Sequence, residues 1–275
     1  MMIQKAIILA GGAGTRLRPV TLEIPKPLVP VQGVPILSWL VRLFVQHGVQ
    51  DVTVIYPTCW KPAFLAWEAQ KNQTLQNIGM AHVSLHLFEE KEPMGTMGAI
   101  VHELALDKDP VYVTNGDELK GLDLTAFSEF HSAQSQTNPE LGASIALVRV
   151  PNPSDYGVAE MDGDRITKFH EKPENPPSDL ISSGLYILEP TALFHPGFSS
   201  GSGFARSHAF AGEGLGAEVG TKFLMLEKDL FPHLAEARRL AGCTLSGQWF
   251  DCGTMERWER AITEWRGLDL WSEMS

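Results

Sequence analysis

Residues 10–19 read AGGAGTRLRP, placing Gly11, Gly12 and Gly14 beside Arg16 and Arg18. Small residues let backbone N–H groups approach a phosphate closely, and the arginines add opposite charge. A tight turn that needs glycine for geometry alone is the plainer alternative, and the two arginines make it less attractive. Two well-known phosphate loops do not fit. A Walker loop needs Gly-Lys-Ser/Thr, and the chain has no Gly-Lys pair. A dinucleotide fingerprint would continue Gly12-x-Gly14-x-x-Gly, but the last position is Leu17. Pro19, Pro25, Pro27 and Pro30 follow, a density no helix survives, so the chain is expected to run extended after the glycines. This frame holds Lys26 between two prolines, which suits an ammonium that must be aimed. Further on, Asp117 ends an apolar strand after Asn115-Gly116, where a carboxylate is costly without a role. A turn aspartate is the bland reading there, and a helix cap is the bland reading of Asp251.

The elements that must position these groups alternate in the first half. Residues 6–10 (AIILA) form a continuous apolar run, as in a strand buried on both faces. Residues 35–47 carry Ile36, Leu37, Leu40, Val41 and Phe44 at helical spacing, with Gly48 as terminator. Strand patterns follow at 51–56, 83–88 and 111–114, and helical ones at 58–71 and 96–106. Such alternation predicts βαβ units, right-handed crossovers and a mostly parallel sheet with helices on both faces. The second half is less regular. A helix is expected over 124–134, and strands over 144–150, 156–161, 165–169 and 184–188. Asp162-Gly163-Asp164 signals a hairpin. Residues 196–220, rich in Gly and Ser, read as a long loop or lid, and 230–240 and 255–266 as closing helices.

Composition bounds the partners. With 275 residues and 44% hydrophobic content, the chain suits one large domain or two small ones. A formal net charge of −11 argues against nucleic acid or an anionic membrane surface as partner. An anionic substrate then needs locally concentrated basic groups. Three cysteines with no CxxC pair read as reduced thiols of a cytoplasmic protein. The first apolar run is strand-sized, not a signal peptide, and no segment has the length of a membrane span.

The segment 10–37, AGGAGTRLRPVTLEIPKPLVPVQGVPIL, resembles the signature of the sugar-1-phosphate nucleotidylyltransferases. Later segments match in order. EPMGTMGA at 92–99 resembles the family's nucleobase segment, and TNGD at 114–117 its metal-binding strand end. Tyr156-Gly157-Val158 and FHEKP at 169–173 resemble its sugar-site strands, and FDCGT at 250–254 its second metal segment. EKDLFP at 227–232 is similar to the mannose-1-phosphate guanylyltransferase branch. The resemblance covers roughly residues 3–261.

It implies an α/β fold, Rossmann-like, three-layered around a mostly parallel sheet, with an embedded sugar-binding subdomain. Residues 1–275 would form a single domain. Residues 1–115 would be the nucleotide half, and 116–275 the sugar-phosphate half with the C-terminal helices. The implied reaction joins an NTP and a sugar 1-phosphate into an NDP-sugar and pyrophosphate. Both reactants are anionic, so catalysis is mainly positioning and charge neutralisation. Arg16 would hold the triphosphate, and Lys26 would stand near the α-phosphate and the sugar phosphate. Nucleotide contacts would come from Ala10, Gly11, Gly12, Gly14, Thr15, Gly95, Thr96, Asn115 and Gly116. Sugar-phosphate contacts would come from Gly157, Glu171, Lys172 and Ser182. Asp117 and Asp251 would hold Mg²⁺, which takes one or two carboxylates plus phosphate oxygens and waters. No general base is assigned, since a phosphate nucleophile is already ionised. Ser182-Ser183-Gly184 departs from the usual Asn-Ala-Gly at one sugar contact, and Met255 from a common proline at the helix start.

Other signals are weaker. GFSSG at 197–201 matches an esterase elbow but lacks the flanking strand and helix that motif requires. His82 and His86 read as surface or partner-facing residues. The Trp258, Ile262 and Trp265 stripe suits core packing or a subunit contact in a homo-oligomer. The preferred substrates are GTP with mannose 1-phosphate or a heptose 1-phosphate. Thymidylyl, uridylyl or cytidylyl transfer is the alternative within the class. A non-catalytic NDP-sugar-binding homologue is the alternative outside it, opposed by the intact Arg16, Lys26, Asp117, Lys172 and Asp251. A dinucleotide-dependent oxidoreductase is disfavoured by Leu17 and the prolines.

Overall fold

Along strand β1 (Lys5–Leu9), Ala6 and Ile8 enter one hydrophobic cluster and Ile7 enters another. Successive side chains of a strand point to opposite faces, so β1 is buried on both sides, as its unbroken apolar run predicts. The structure, a computed structural model, describes residues 2–77, 83–104, 109–194 and 223–268. After β1 come a short hairpin of β2 (Pro30–Val31) and β3 (Val34–Pro35), then α1 (Ile36–Gln46), β4 (Asp51–Pro57) and α2 (Lys61–Asn77). They are followed by β5 (Ser84–Glu90), α3 (Gly95–Leu104), β6 (Val111–Asn115), β7 (Glu118–Leu122) and α4 (Leu124–Thr137). The remainder comprises β8 (Ala143–Arg149), β9 (Gly157–Asp162), β10 (Arg165–Glu171), β11 (Leu180–Leu188), α5 (Phe231–Glu236), β12 (Leu240–Thr244), β13 (Gly247–Asp251) and α6 (Met255–Glu264).

Nine strands form one sheet in the order β5-β4-β1-β6-β11-β8-β12-β10-β9. The clusters on its two faces make three layers. One collects Leu37, Leu40 and Phe44 of α1 with Phe64 and Trp67 of α2 and Phe127 of α4. The other collects Met97 and Ile100 of α3 with Phe231 and Leu234 of α5. Gly48 ends α1 as expected, at φ 82°, a left-handed conformation that costs glycine little.

The sheet is mixed, which corrects the expectation of a mostly parallel one. β5, β4, β1 and β6 run parallel, as does the β8–β12 pair. β11 is antiparallel to both β6 and β8, and the 162–164 hairpin makes β9 and β10 antiparallel. β9 also meets β11 at Val158↔Ile181, closing part of the sheet on itself. Alternating βαβ patterns force parallel pairing only in the first half; hairpins and returning strands reverse it in the second.

Two local expectations are also corrected. The chain after the glycines is not extended but makes three single 3-10 turns, at Thr15–Leu17, Val20–Leu22 and Lys26–Leu28. Proline in the first turn lacks only an N–H that would be unpaired anyway, so a one-turn helix tolerates what a longer one does not. The helix expected over 230–240 stops at Glu236, because Arg238 takes φ 61° and turns the chain into β12. Residues 196–220, the 197–201 motif and His82 lie outside the described residues. Among the described residues, no helix is long and apolar enough to cross a membrane.

Candidate active site

The carboxyl ends of β1 and β6 open into a cleft of about 930 Å³. Ligands of open α/β sheets bind at this edge. Gly11, Gly12, Arg16, Lys26, Gly95, Thr96, Asn115, Asp117, Gly157, Glu171, Lys172, Ser182 and Asp251 all line it. The fold thus brings thirteen of the residues singled out from the sequence onto one surface, though they come from most of the chain's length.

Ala10, Gly14, Thr15 and Gly116 are not among the lining residues. Ala10 is buried, its N–H donating to Ile55 O at 2.8 Å. Gly14 takes φ 57°, and its carbonyl accepts from Thr21 Oγ1 at 2.7 Å, which pins the loop. Gly116 donates to Leu9 O at 2.9 Å, and a side chain there would strike β1. These residues shape the loop and strand ends from behind.

Lys26 is at the centre of the charges. Pro25 and Pro27 hold its one-turn helix, and its side chain is only 8% exposed. Nζ donates to Asp117 Oδ2 at 2.5 Å and stands 3.9 Å from Asp251 Oδ1. Burial by itself would push the ammonium down. Asp117, Asp251 and Glu118 outweigh it and hold Lys26 above the ordinary lysine value. Desolvation likewise opposes the Asp117 charge, and Lys26 outweighs it, so this carboxyl stays below its ordinary range. Asp251 ends β13, and β13 pairs with β7 in the register Asp251↔Glu118, which carries Asp251 next to the turn after β6. Arg16 approaches the turn after β13: a β-carbon on Gly253 would lie 3.3 Å from Arg16 Nη2 and 2.7 Å from Asp251 Oδ1.

On the opposite wall, Lys172 adopts φ 49°, held by its N–H to Tyr156 O at 3.0 Å. Few non-glycine residues occupy this region, and those that do concentrate at functional sites. Its Nζ lies 3.4 Å from Glu171 Oε1. Gly157 admits the Phe169 ring, which a β-carbon would meet at 2.4 Å.

Sequence reasoning missed several groups. Glu118 also lines the cleft, tied to Lys120 Nζ at 3.0 Å and Trp249 Nε1 at 3.1 Å, and burial pushes its carboxyl up to about 7. Glu227 accepts from Thr96 Oγ1 at 3.0 Å and from Tyr186 OH at 3.2 Å, joining the two walls. Thr96 therefore turns its hydroxyl to Glu227. Arg257 pairs with Asp251 and Asp155. The segment EKDLFP signalled Glu227; nothing in the pattern signalled Arg257. His86 is exposed on β5, 3.6 Å from Asp51. The stripe on α6 is packing: Trp265 stacks edge-on to Trp39 and Phe250, and Trp258 donates to Pro30 O.

A family model described as "Nucleotidyl transferase" matches residues 5–266. The chain is 33% identical over 254 residues to the mannose-1-phosphate guanylyltransferase catalytic subunit beta of Danio rerio, covering 90% of this chain and 61% of that one. It is 36% identical over 186 residues to the mannose-1-phosphate guanylyltransferase of Mycobacterium tuberculosis, covering 67% of this chain and 48% of that one. It thus spans only part of the length of both relatives. Its fold matches a solved UDP-glucose pyrophosphorylase with a TM-score of 0.70 and 22% identity, covering 95% of this chain and 98% of that one.

Proposed function

The chain belongs to the nucleotidyl transferase family, and from that membership we propose that it joins a nucleoside triphosphate to a sugar 1-phosphate. A phosphate oxygen of the sugar 1-phosphate attacks the α-phosphorus, the bond from that phosphorus to the bridging oxygen breaks, and pyrophosphate leaves with the electron pair. The observation that carries this reading is Lys26 between Asp117 and Asp251, with the glycine-rich loop on one side and Glu171-Lys172 on the other. Backbone groups of Gly11 and Gly12 with Arg16 hold the triphosphate. Lys172 holds the sugar phosphate, and Glu171, Gly157 and Ser182 hold the sugar. Lys26 faces the charge that builds at the transferring phosphorus. Residues 1–115 and 116–275 act as the nucleotide and sugar-phosphate halves of one domain.

The donors suit Mg²⁺. Asp117 and Asp251 already converge on one cationic group, and both are hard oxygen ligands. Among the described residues no cluster of three or more His, Cys, Asp or Glu could hold a metal, and Mg²⁺, which takes one or two carboxylates with other oxygens, would require none. Bound there, it would neutralise charge on the phosphates. GTP with mannose 1-phosphate or a heptose 1-phosphate is the preferred pair, supported by the names of relatives at 33% and 36% identity. A matrix of NTPs against sugar 1-phosphates, scored by pyrophosphate release, tests both levels. Release should need NTP, sugar 1-phosphate and Mg²⁺ together, and should be fastest with GTP. Release without the sugar phosphate, or in excess EDTA, refutes the reaction.

A further inference from the structure

The two oxygens of Asp251 keep different company. Oδ2 accepts from Arg257 Nη1 at 2.6 Å and from Tyr156 OH at 3.3 Å, while Oδ1 faces Lys26 Nζ at 3.9 Å. Arg257 is itself held firmly. It lies in the first turn of α6, where its N–H donates to the Thr254 cap at 3.3 Å. Its other guanidinium nitrogen pairs with Asp155, and the group lies 5.3 Å from the Tyr156 ring centroid. Asp155 and Tyr156 lead directly into Gly157 and line the cleft, so one guanidinium ties the Asp251 carboxylate to the sugar-side wall. The fork of an arginine can join two carboxylates in this way; the single point charge of a lysine cannot fix both.

Each aspartate therefore has its own resident cation, Lys26 on Asp117 and Arg257 on Asp251. A divalent ion approaching the free protein meets a pair of carboxylates whose charge is already matched. A nucleoside triphosphate bound beside them would add phosphate oxygens, donors for a divalent ion whose charge neither Lys26 nor Arg257 matches. We propose that Arg257 is a positioning residue for the cation site. It leaves only Oδ1 of Asp251 facing the cleft and, by matching that carboxylate's charge, makes divalent-cation binding depend on the nucleotide. The proposal rests on the nucleotidyl-transfer reading above.

The test is a titration of the protein with Mn²⁺ alone, followed by electron paramagnetic resonance, on wild type, Arg257→Gln and Arg257→Lys. Arg257→Gln should bind Mn²⁺ about tenfold or more tightly than wild type without nucleotide, since a nearby unit charge is removed. Arg257→Lys, which keeps the charge though not the fork, should stay much nearer wild type than Arg257→Gln. Added GTP should narrow the gap between wild type and Arg257→Gln. The gain should vanish in Arg257→Gln/Asp251→Asn. Affinity unchanged or weakened in Arg257→Gln overturns the proposal, as does a gain that persists without Asp251, or an Arg257→Lys variant as tight as the glutamine one. Arg257→Met serves the same comparison if the glutamine variant does not fold. No sugar phosphate or turnover enters the titration, so it can fail while pyrophosphate release stands, and the reverse.

Discussion

A β-carbon placed on Gly95 would lie 2.2 Å from the carbonyl oxygen of Leu224. That carbonyl accepts from Met97 N at 3.0 Å, and Leu224 N donates to Met94 O at 3.0 Å, so the segment before α5 lies against the start of α3. Gly95 makes the approach possible through its missing side chain and its φ of 75°. The contact brings Glu227 to Thr96. Gly95→Ala should therefore both strain the backbone and push the two walls apart. A loss of about 2–4 kcal/mol is expected, read as a lowered thermal midpoint together with weaker nucleotide binding. An unshifted midpoint would mean that the segment yields freely.

Asp117→Asn and Asp251→Asn should each lower turnover about a hundredfold or more while circular dichroism stays native, because Asn keeps the shape and loses the charge. Near-normal turnover in one variant would return that aspartate to a turn or pairing role.

Arg16 lies against the Asp251–Gly253 turn, whereas Lys172 stands by Glu171 on the other wall. Arg16→Ala should weaken nucleotide binding, and Lys172→Ala should raise the KM for the sugar phosphate with NTP affinity little changed. Losing one charge-assisted phosphate contact costs about 1.5–3 kcal/mol, roughly ten- to a hundredfold. Calorimetric nucleotide titrations decide it: lost nucleotide binding in Lys172→Ala with intact binding in Arg16→Ala would exchange the two subsites.

Burial raises the Glu227 carboxyl above its ordinary value of 4.5, and the Glu171 charge adds to this against the pull of its hydrogen-bond donors. Across the window from 4.5 up to the folded-state value, the folded protein holds more of this proton than the unfolded chain does. Stability from this group thus falls as pH rises through that window. Glu227→Gln cannot ionise, so its stability relative to wild type should improve as pH rises above 4.5 in urea unfolding. A pH-independent difference would show that Glu227 has the same proton affinity in both states.

The parallel half of the fold was legible because 6–10 is an unbroken apolar run and 51–56 and 111–114 are rich in β-branched and aromatic residues, with helical spacing between them. β13 was not, because GQWFD mixes glycine, a polar residue and aromatics, and its strand state comes from pairing with β7. The one-turn helix around Pro25 and Pro27 was hidden because proline breaks only longer helices. Residues that carry motif signals, such as Lys26 and Asp117, stand out before the fold is known, and both line the cleft. Arg257 was not, because at its place in the sequence it looks like any exposed helical arginine. The contacts that bring it to Asp251 and to Asp155, 102 positions away, make it a partner of the cleft.

Of the three cysteines, Cys59 is exposed on the cleft wall beside Trp60, Cys243 is half-buried and Cys252 is buried. Burial, with the Asp164 charge nearby, pushes the Cys243 thiol up to about 11. Burial pushes Cys252 up to about 12, against the pull of Lys26. The thiolate is the reactive form, so neither should react with a thiol reagent in the native state. A disulfide-exchange reagent at neutral pH should therefore label one thiol quickly, and all three only after denaturation. Because Cys59 shares the cleft with Gly11 and Gly12, saturating GTP should slow that single reaction. Mass spectrometry of the labelled peptide identifies the site. Fast labelling at Cys252 would mean that the Asp251–Gly253 turn opens in solution. Labelling at Cys59 that GTP does not slow would place the nucleotide away from the Cys59–Trp60 wall.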